Sequence, residues 1–167
     1  LNVVARYADE KTWNKLHDLA LETTSIEEKQ NFSDALTSAA DPKLAEKTLR
    51  IALTDELPTT RAVYLVPKVA RNGGHADLVW QFAKTNMKAL LAKSDALGAS
   101  RFGPSLFTFF SDTSRIDELR SYAKANLTPA SKQHVEAAAD EIGFRAEFKK
   151  RLIEQVTAIK PSLRQRD

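Results

Sequence analysis

The chain has 167 residues, 43% of them hydrophobic and 28% charged, with a formal net charge of +3 and no cysteine. That length gives one domain with room for a sizeable core, the composition is that of an ordinary globular protein, and a disulfide framework or thiolate metal site is excluded. No apolar run approaches the roughly 18 residues of a membrane span and no signal peptide is visible, which favours a soluble, cytoplasmic protein without a membrane partner.

Five glycines and six prolines argue against a turn-rich β protein, and the pattern along the chain is helical. Residues 1–9, LNVVARYAD, read as the tail of a helix already under way, as in a trimmed terminus or a piece of a longer protein. Asp9 caps a helix to about Glu22, with Trp13, Leu16 and Ala20 inward. Ser25-Ile26-Glu27-Glu28 is a capping box, opening a helix that buries Phe32, Ala35, Leu36 and Ala39. Asp41-Pro42 pairs an N-cap with proline at the first helical position, ahead of Leu44, Thr48, Ile51 and Ala52.

Residues 59–91 read as a helix hairpin. Val63, Val66 and Ala70 mark one apolar face, and Val79, Phe82, Ala83 and Asn86 the other. The turn falls at Arg71-Asn72-Gly73-Gly74, where Asn and Gly tolerate left-handed backbone. Pro67 lies inside the first helix and should bend or break it. Gly98 is expected to break the chain before an apolar helix over about 103–111, with Phe102, Leu106, Phe107, Phe109 and Phe110 buried or facing a partner. Ser114 caps a helix carrying Ile116, Leu119 and Ala123. Thr128-Pro129 opens another with Val135, Ala138 and Ile142 inward, ending at Gly143. A last helix turns Phe144, Phe148, Leu152 and Val156 inward and stops at Pro161. About nine helices with short loops, in pairs recurring every 32–36 residues, predict an all-α superhelix of antiparallel pairs, a HEAT-like or TPR-like α-solenoid.

Charge is uneven. Residues 144–167 carry seven Lys/Arg against three Asp/Glu, a net of +4, and the rest of the chain nets −1. Such a tail can mark nucleic-acid binding. At helical spacing beside Phe148, Leu152 and Val156, a solvated face with cations near a helix C-terminus is the commoner meaning, so no nucleic acid is expected.

The hairpin also carries a resemblance. "VARN", a Gly turn and "WQFAKTN" resemble the C-terminal helical domain of the aminopeptidase N family of zinc metallopeptidases, which includes the puromycin-sensitive and endoplasmic-reticulum aminopeptidases. Ala39-Ala40-Asp41-Pro42 with residues 44–53 and Asp55, then Phe109-Phe110-Ser111-Asp112 into Ile116-Asp117-Glu118-Leu119, then the helix over 131–142, fit the same template in the same order. The likeness covers residues 9–158. It implies that residues 1–167 are one helical domain, the C-terminal part of a longer zinc aminopeptidase. In that family this domain closes over the active-site cavity and controls peptide access. The partners implied are the catalytic domain of the same polypeptide and a peptide substrate.

The zinc motif of that family, His-Glu-x-x-His with a downstream Glu, sets two ligands and a general base on one helix face. His17, His75 and His134 are far apart, and the family's Gly-x-Met-Glu-Asn motif has no counterpart around Met87. The resemblance therefore places zinc and catalysis in a domain N-terminal to this chain, with no cofactor or catalytic residue here. A structural role is the ordinary reading of each histidine. Arg71, Asn72, Arg101 and Phe102 are the substrate-facing or interdomain candidates. Against this stand a C-cap role for Asn72, a surface role for Arg71 and core roles for Trp80 and Phe82. The competing function is a free-standing α-solenoid that binds a protein or peptide on its concave face.

Overall fold

The computed structural model describes the backbone of residues 1–163; the last four residues of the basic tail lie outside the described residues. Among the described residues there are nine α-helices, one short 3-10 turn and no strand. None of these helices is long and apolar enough to cross a membrane. The helices fall into two compact units, residues 1–106 and residues 107 onward.

The first unit holds α1 (Asn2–Arg6), α2 (Glu10–Glu22), α3 (Ile26–Leu36), α4 (Pro42–Ile51), α5 (Thr59–Gly73), α6 (Ala76–Ala92) and nearly all of α7 (Ala96–Phe107). Asp9 accepts the Thr12 amide at 2.8 Å and Asp41 the Lys43 amide at 2.7 Å, so orphan N–H groups open α2 and α4 satisfied. At α3 only half of the expected capping box forms. Ser25 accepts the Glu28 amide, but the Glu28 carboxylate takes the Thr23 hydroxyl at 2.6 Å. The Ser25 amide in turn donates to Thr23 Oγ1, so Thr23 stands where the reciprocal bond was expected.

Trp13, Leu16, Leu36, Leu44, Ile51 and Leu65 form one apolar cluster across α2 to α5. Its polar contents are satisfied. The Trp13 indole N–H donates to Thr48 Oγ1 at 3.1 Å, and the Thr48 hydroxyl has the Leu44 and Leu36 carbonyls at 3.0 and 3.2 Å. Pro67 does not break α5. It removes one helical N–H, a cost of about 3 kcal/mol. Val63, Val66, Val69 and Ala70 around it are all buried, and at roughly 1.5–3 kcal/mol for each larger side chain their burial outweighs that cost. Trp80 is core, as its structural reading had it.

The apolar helix expected over 103–111 lies earlier. Asp95 accepts the Gly98 amide at 2.6 Å and starts α7 at Ala96, so Gly98 falls within a capped first turn instead of breaking the chain. Phe102, Leu106, Phe107 and Phe110 are buried.

The second unit contains α8 (Arg115–Asn126), the 3-10 turn Pro129–Ser131 and α9 (Lys132–Leu163). Ser114 occupies the N-cap position of α8 without capping by its side chain; the Asp112 carboxylate accepts the Ser114 amide at 2.9 Å instead. Leu119 of α8 and Val135, Ala138, Ala139 and Ile142 of α9 are buried where the two helices pack. The two helices expected on either side of Gly143 are one helix of 32 residues, which also continues through Pro161. A mid-helix glycine costs only about 1 kcal/mol; the i,i+4 ion pair Glu141–Arg145 spans this one and Glu147–Arg151 supports the turns that follow. Phe144, Phe148, Leu152 and Val156 were expected to face inward; all four are exposed.

Candidate functional site

The turn expected over Arg71-Asn72-Gly73-Gly74 begins later: α5 continues through Gly73, Asn72 is not left-handed, and two glycines at the helix end have different tasks. Gly74 has φ +80, the left-handed conformation that ends helices and suits glycine. Gly73 is needed for close approach: a Cβ there would stand 2.7 Å from His75 Cδ2, 3.0 Å from the Ala39 carbonyl oxygen and 3.2 Å from that of Thr37. The turn is thereby pressed onto the loop between α3 and α4.

Polar groups lock that contact. Asn72 Nδ2 donates to Thr37 Oγ1 at 2.8 Å. His75 Nε2 lies 2.9 Å from the Ala39 carbonyl, which only accepts, so this nitrogen carries the proton. Arg6 Nη1 donates to the Asn72 carbonyl at 3.0 Å, and the Arg6 carbonyl accepts the Ala40 amide at 3.0 Å. Asn72 is thus half-buried and committed to a node that joins α1, the α3–α4 loop and the α5–α6 turn.

Two recesses flank α5. One, of about 250 Å³, lies between α3 and α5 and is lined by Asp34, Arg61, Tyr64, Pro67, Lys68 and Arg71. The other, of about 320 Å³, lies between α5 and α7 and includes Tyr64, Pro67, Lys93, Asp95, Arg101 and Phe102. Tyr64 and Pro67 line both, so they form the ridge between them, and Tyr64 is 66% exposed.

The two linings hold five cations, Arg61, Lys68, Arg71, Lys93 and Arg101, and two carboxylates, Asp34 and Asp95. Lys68 pairs with Asp34 at 2.6 Å and Lys93 with Asp55 at 3.2 Å. Arg61 and Arg101 make no ion pair among the described residues and are exposed. Their charge therefore remains available to an anionic ligand.

Of the residues singled out from the sequence, Arg71 lines the first recess, Arg101 and Phe102 line the second, and Asn72 lies in the node. Phe102 is buried and contributes wall, not a projecting ring. Sequence reasoning missed Tyr64 and Arg61. Both were legible as large side chains on the polar side of a helix whose apolar stripe is Val63, Val66 and Ala70.

The histidines do not converge. His17 Nε2 pairs with Glu56 at 2.6 Å, His75 is in the node, and His134 is half-buried on α9. Among the described residues no group of three or more His, Cys, Asp or Glu side chains comes together to hold a metal ion. The donor set of a catalytic zinc, about three protein ligands with one position open, does not fit these residues.

The model of the ERAP1-like C-terminal domain matches residues 1–143. The thyrotropin-releasing hormone-degrading ectoenzymes of Rattus norvegicus and Mus musculus are each 28% identical over 124 residues, which is 68% of this chain and 10% of theirs. The Homo sapiens ectoenzyme is 28% identical over 123 residues, 67% of this chain and 10% of its own. The chain spans about a tenth of the length of these curated relatives. An all-helical chain whose Gly73-Gly74 turn falls inside that match belongs to the ERAP1-like C-terminal domain family, and with it to the C-terminal helical domains of the aminopeptidase N family.

Proposed function

We propose that this chain is the non-catalytic C-terminal helical domain of a zinc aminopeptidase, that it covers the active-site cavity, and that it controls which peptides enter. The match of residues 1–143 to the ERAP1-like C-terminal domain carries this reading. Chemistry and zinc then belong to a catalytic domain of the same polypeptide, and this chain binds and orients. The two recesses beside Tyr64 are the surface offered to the peptide. Arg61 and Arg101 suit carboxylates of the peptide, Tyr64 supplies a flat amphipathic contact, and Asn72 and Gly73 hold the helices that present them.

The test is kcat/KM across a ladder of peptides of increasing length, for the whole aminopeptidase and for its Arg61→Ala/Arg101→Ala and Tyr64→Ala variants. Short substrates that reach only the catalytic domain keep their rates. Long substrates lose several-fold, because binding energy remote from the scissile bond contributes to transition-state stabilisation. Identical losses at all lengths, or none, contradict the reading. Binding of peptide by the isolated chain together with an unchanged ladder favours a free-standing peptide-binding solenoid.

A further inference from the structure

The second half of α9 is at odds with the first. Val135, Ala138, Ala139 and Ile142 are buried, whereas Phe144, Phe148, Leu152, Ile153 and Val156 are each 48–60% exposed. The change comes at Gly143, the last residue of the family match. Four of the five exposed residues, Phe144, Phe148, Leu152 and Val156, repeat at i, i+4, i+8 and i+12, which makes one continuous ridge. The Phe144 and Phe148 rings stack at 6.4 Å with 17° between planes, so its first turn is already ordered. The rows beside the ridge hold Arg145 and Lys149 on one side and Glu147 and Arg151 on the other. That is three cations to one carboxylate: Arg145 and Arg151 pair with Glu141 and Glu147, and Lys149 forms no close ion pair among the described residues. The Asp112 carboxyl, lowered first by its Ser114 hydrogen bonds, has Lys149 near enough to lower it further.

We infer that this ridge docks into an apolar groove between helices, with acidic residues on its rim, in the part of the parent polypeptide outside these 167 residues. The inference rests on the proposed function, since it takes the chain as part of a longer enzyme, and the curated relatives, of which the match covers 10%, have ample chain to supply the groove. The i,i+4 ridge is the element that interdigitates when helices cross. A second copy of this chain is the poorer occupant. A symmetric crossing centred on Phe148 and Leu152 sets Lys149 and Arg151 against their own counterparts, and like charges facing across an interface are repulsive. A lipid surface is also poorer. The ridge winds through about 120° of the helix, and Arg145 and Lys149, about 100° and 140° from Phe144, fall within or beside that arc. A flat surface that buried the ridge would meet them as well.

Cysteine labelling tests this, because the chain has no cysteine of its own. Phe148→Cys on the ridge and Lys150→Cys on the opposite side are made in the isolated chain and in the whole enzyme, and maleimide reaction is followed at those positions by mass spectrometry. In the isolated chain both react at the same rate. In the whole enzyme Phe148→Cys slows by roughly tenfold or more while Lys150→Cys does not, since protection follows burial. Adding Lys149→Glu to Phe148→Cys in the whole enzyme restores several-fold of the rate. Amide hydrogen exchange over residues 144–158 of the unsubstituted proteins guards against a substitution that itself weakens docking, and expects slower exchange in the whole enzyme. Equal labelling and equal exchange in both proteins overturn the inference. So does protection of the isolated chain that grows with its concentration, which indicates a second copy, or that appears with phosphatidylserine vesicles, which indicates lipid. No turnover is needed, so this result stands apart from that of the peptide ladder.

Discussion

Gly73→Ala isolates the close approach on which the α5–α6 turn depends. The new methyl would meet His75 Cδ2 at 2.7 Å and the Ala39 and Thr37 carbonyl oxygens at 3.0 and 3.2 Å. A side-chain carbon can swing aside, but the two carbonyls belong to the backbone of the α3–α4 loop and yield only if the loop moves. Overpacking of this kind costs about 1–3 kcal/mol, and displacement of His75 removes a hydrogen bond of about 1 kcal/mol. Alanine recovers about 0.4–1 kcal/mol by restricting the unfolded chain. The expected net loss is therefore about 1–3 kcal/mol. Gly74→Ala is the control: nothing lies within 4 Å of its Cβ, and its φ of +80 makes the cost one of backbone conformation, about 1–2 kcal/mol. His75→Ala should relieve part of the Gly73→Ala penalty and none of the Gly74→Ala penalty, a coupling that a double-mutant cycle reads directly. Urea unfolding followed by tryptophan fluorescence suits the measurement, because Trp13 and Trp80 both lie in the first unit. A Gly73→Ala protein as stable as the parent chain, or additive effects with His75→Ala, would refute the reasoning.

Thr48→Val should cost about 1–3 kcal/mol in the same assay, because it leaves the buried Trp13 indole N–H without its acceptor; an unchanged urea midpoint contradicts that. Ser131→Ala should be neutral or stabilising by up to about 1 kcal/mol in thermal unfolding followed by circular dichroism, because the buried Ser131 hydroxyl has no hydrogen-bond partner among the described residues; a clear loss of stability counts against it. Hydrogen bonds from the Ser114 amide and hydroxyl hold the Asp112 carboxyl below its ordinary value. A depressed folded-state pKa stabilises above the unfolded value of about 3.9 and the contribution is lost as pH falls through the folded value. Asp112→Asn, which still accepts the amide, should therefore flatten part of the decline in stability below about pH 4, and an unaltered acid limb argues against the cap.

Where the sequence was readable, local physics and tertiary contact agreed. Asp9, Asp41 and Pro42 mark helix starts by hydrogen bonding and by the missing proline N–H, and the structure puts them there. The buried set Val63, Val66, Ala70, Val79 and Ala83 follows from period alone. The failures have two causes. Gly98 and Gly143 read as breaks because a glycine costs about 1 kcal/mol in a helix, an amount that the Asp95 cap and the flanking ion pairs offset. The ridge from Phe144 to Val156 misled because periodicity shows that a face is apolar and not what covers it. At the site, Arg71, Arg101 and Phe102 came from the family resemblance and the turn, whereas Tyr64 required the two recesses on either side of it to be seen. Asn72 drew notice at a hairpin tip; its bond to Thr37, 35 residues earlier, is invisible to any local pattern.

The most direct test of the account is photocrosslinking within the whole aminopeptidase, its catalytic carboxylate neutralised so that bound peptide persists. A long peptide carries a benzophenone side chain toward the end remote from cleavage, and the adduct is located by mass spectrometry. The account predicts adducts on α5 and α7 around Tyr64 and Arg101, reduced by Arg61→Ala/Arg101→Ala and absent with a peptide too short to leave the catalytic domain. Crosslinks confined to the catalytic domain at every peptide length would contradict it.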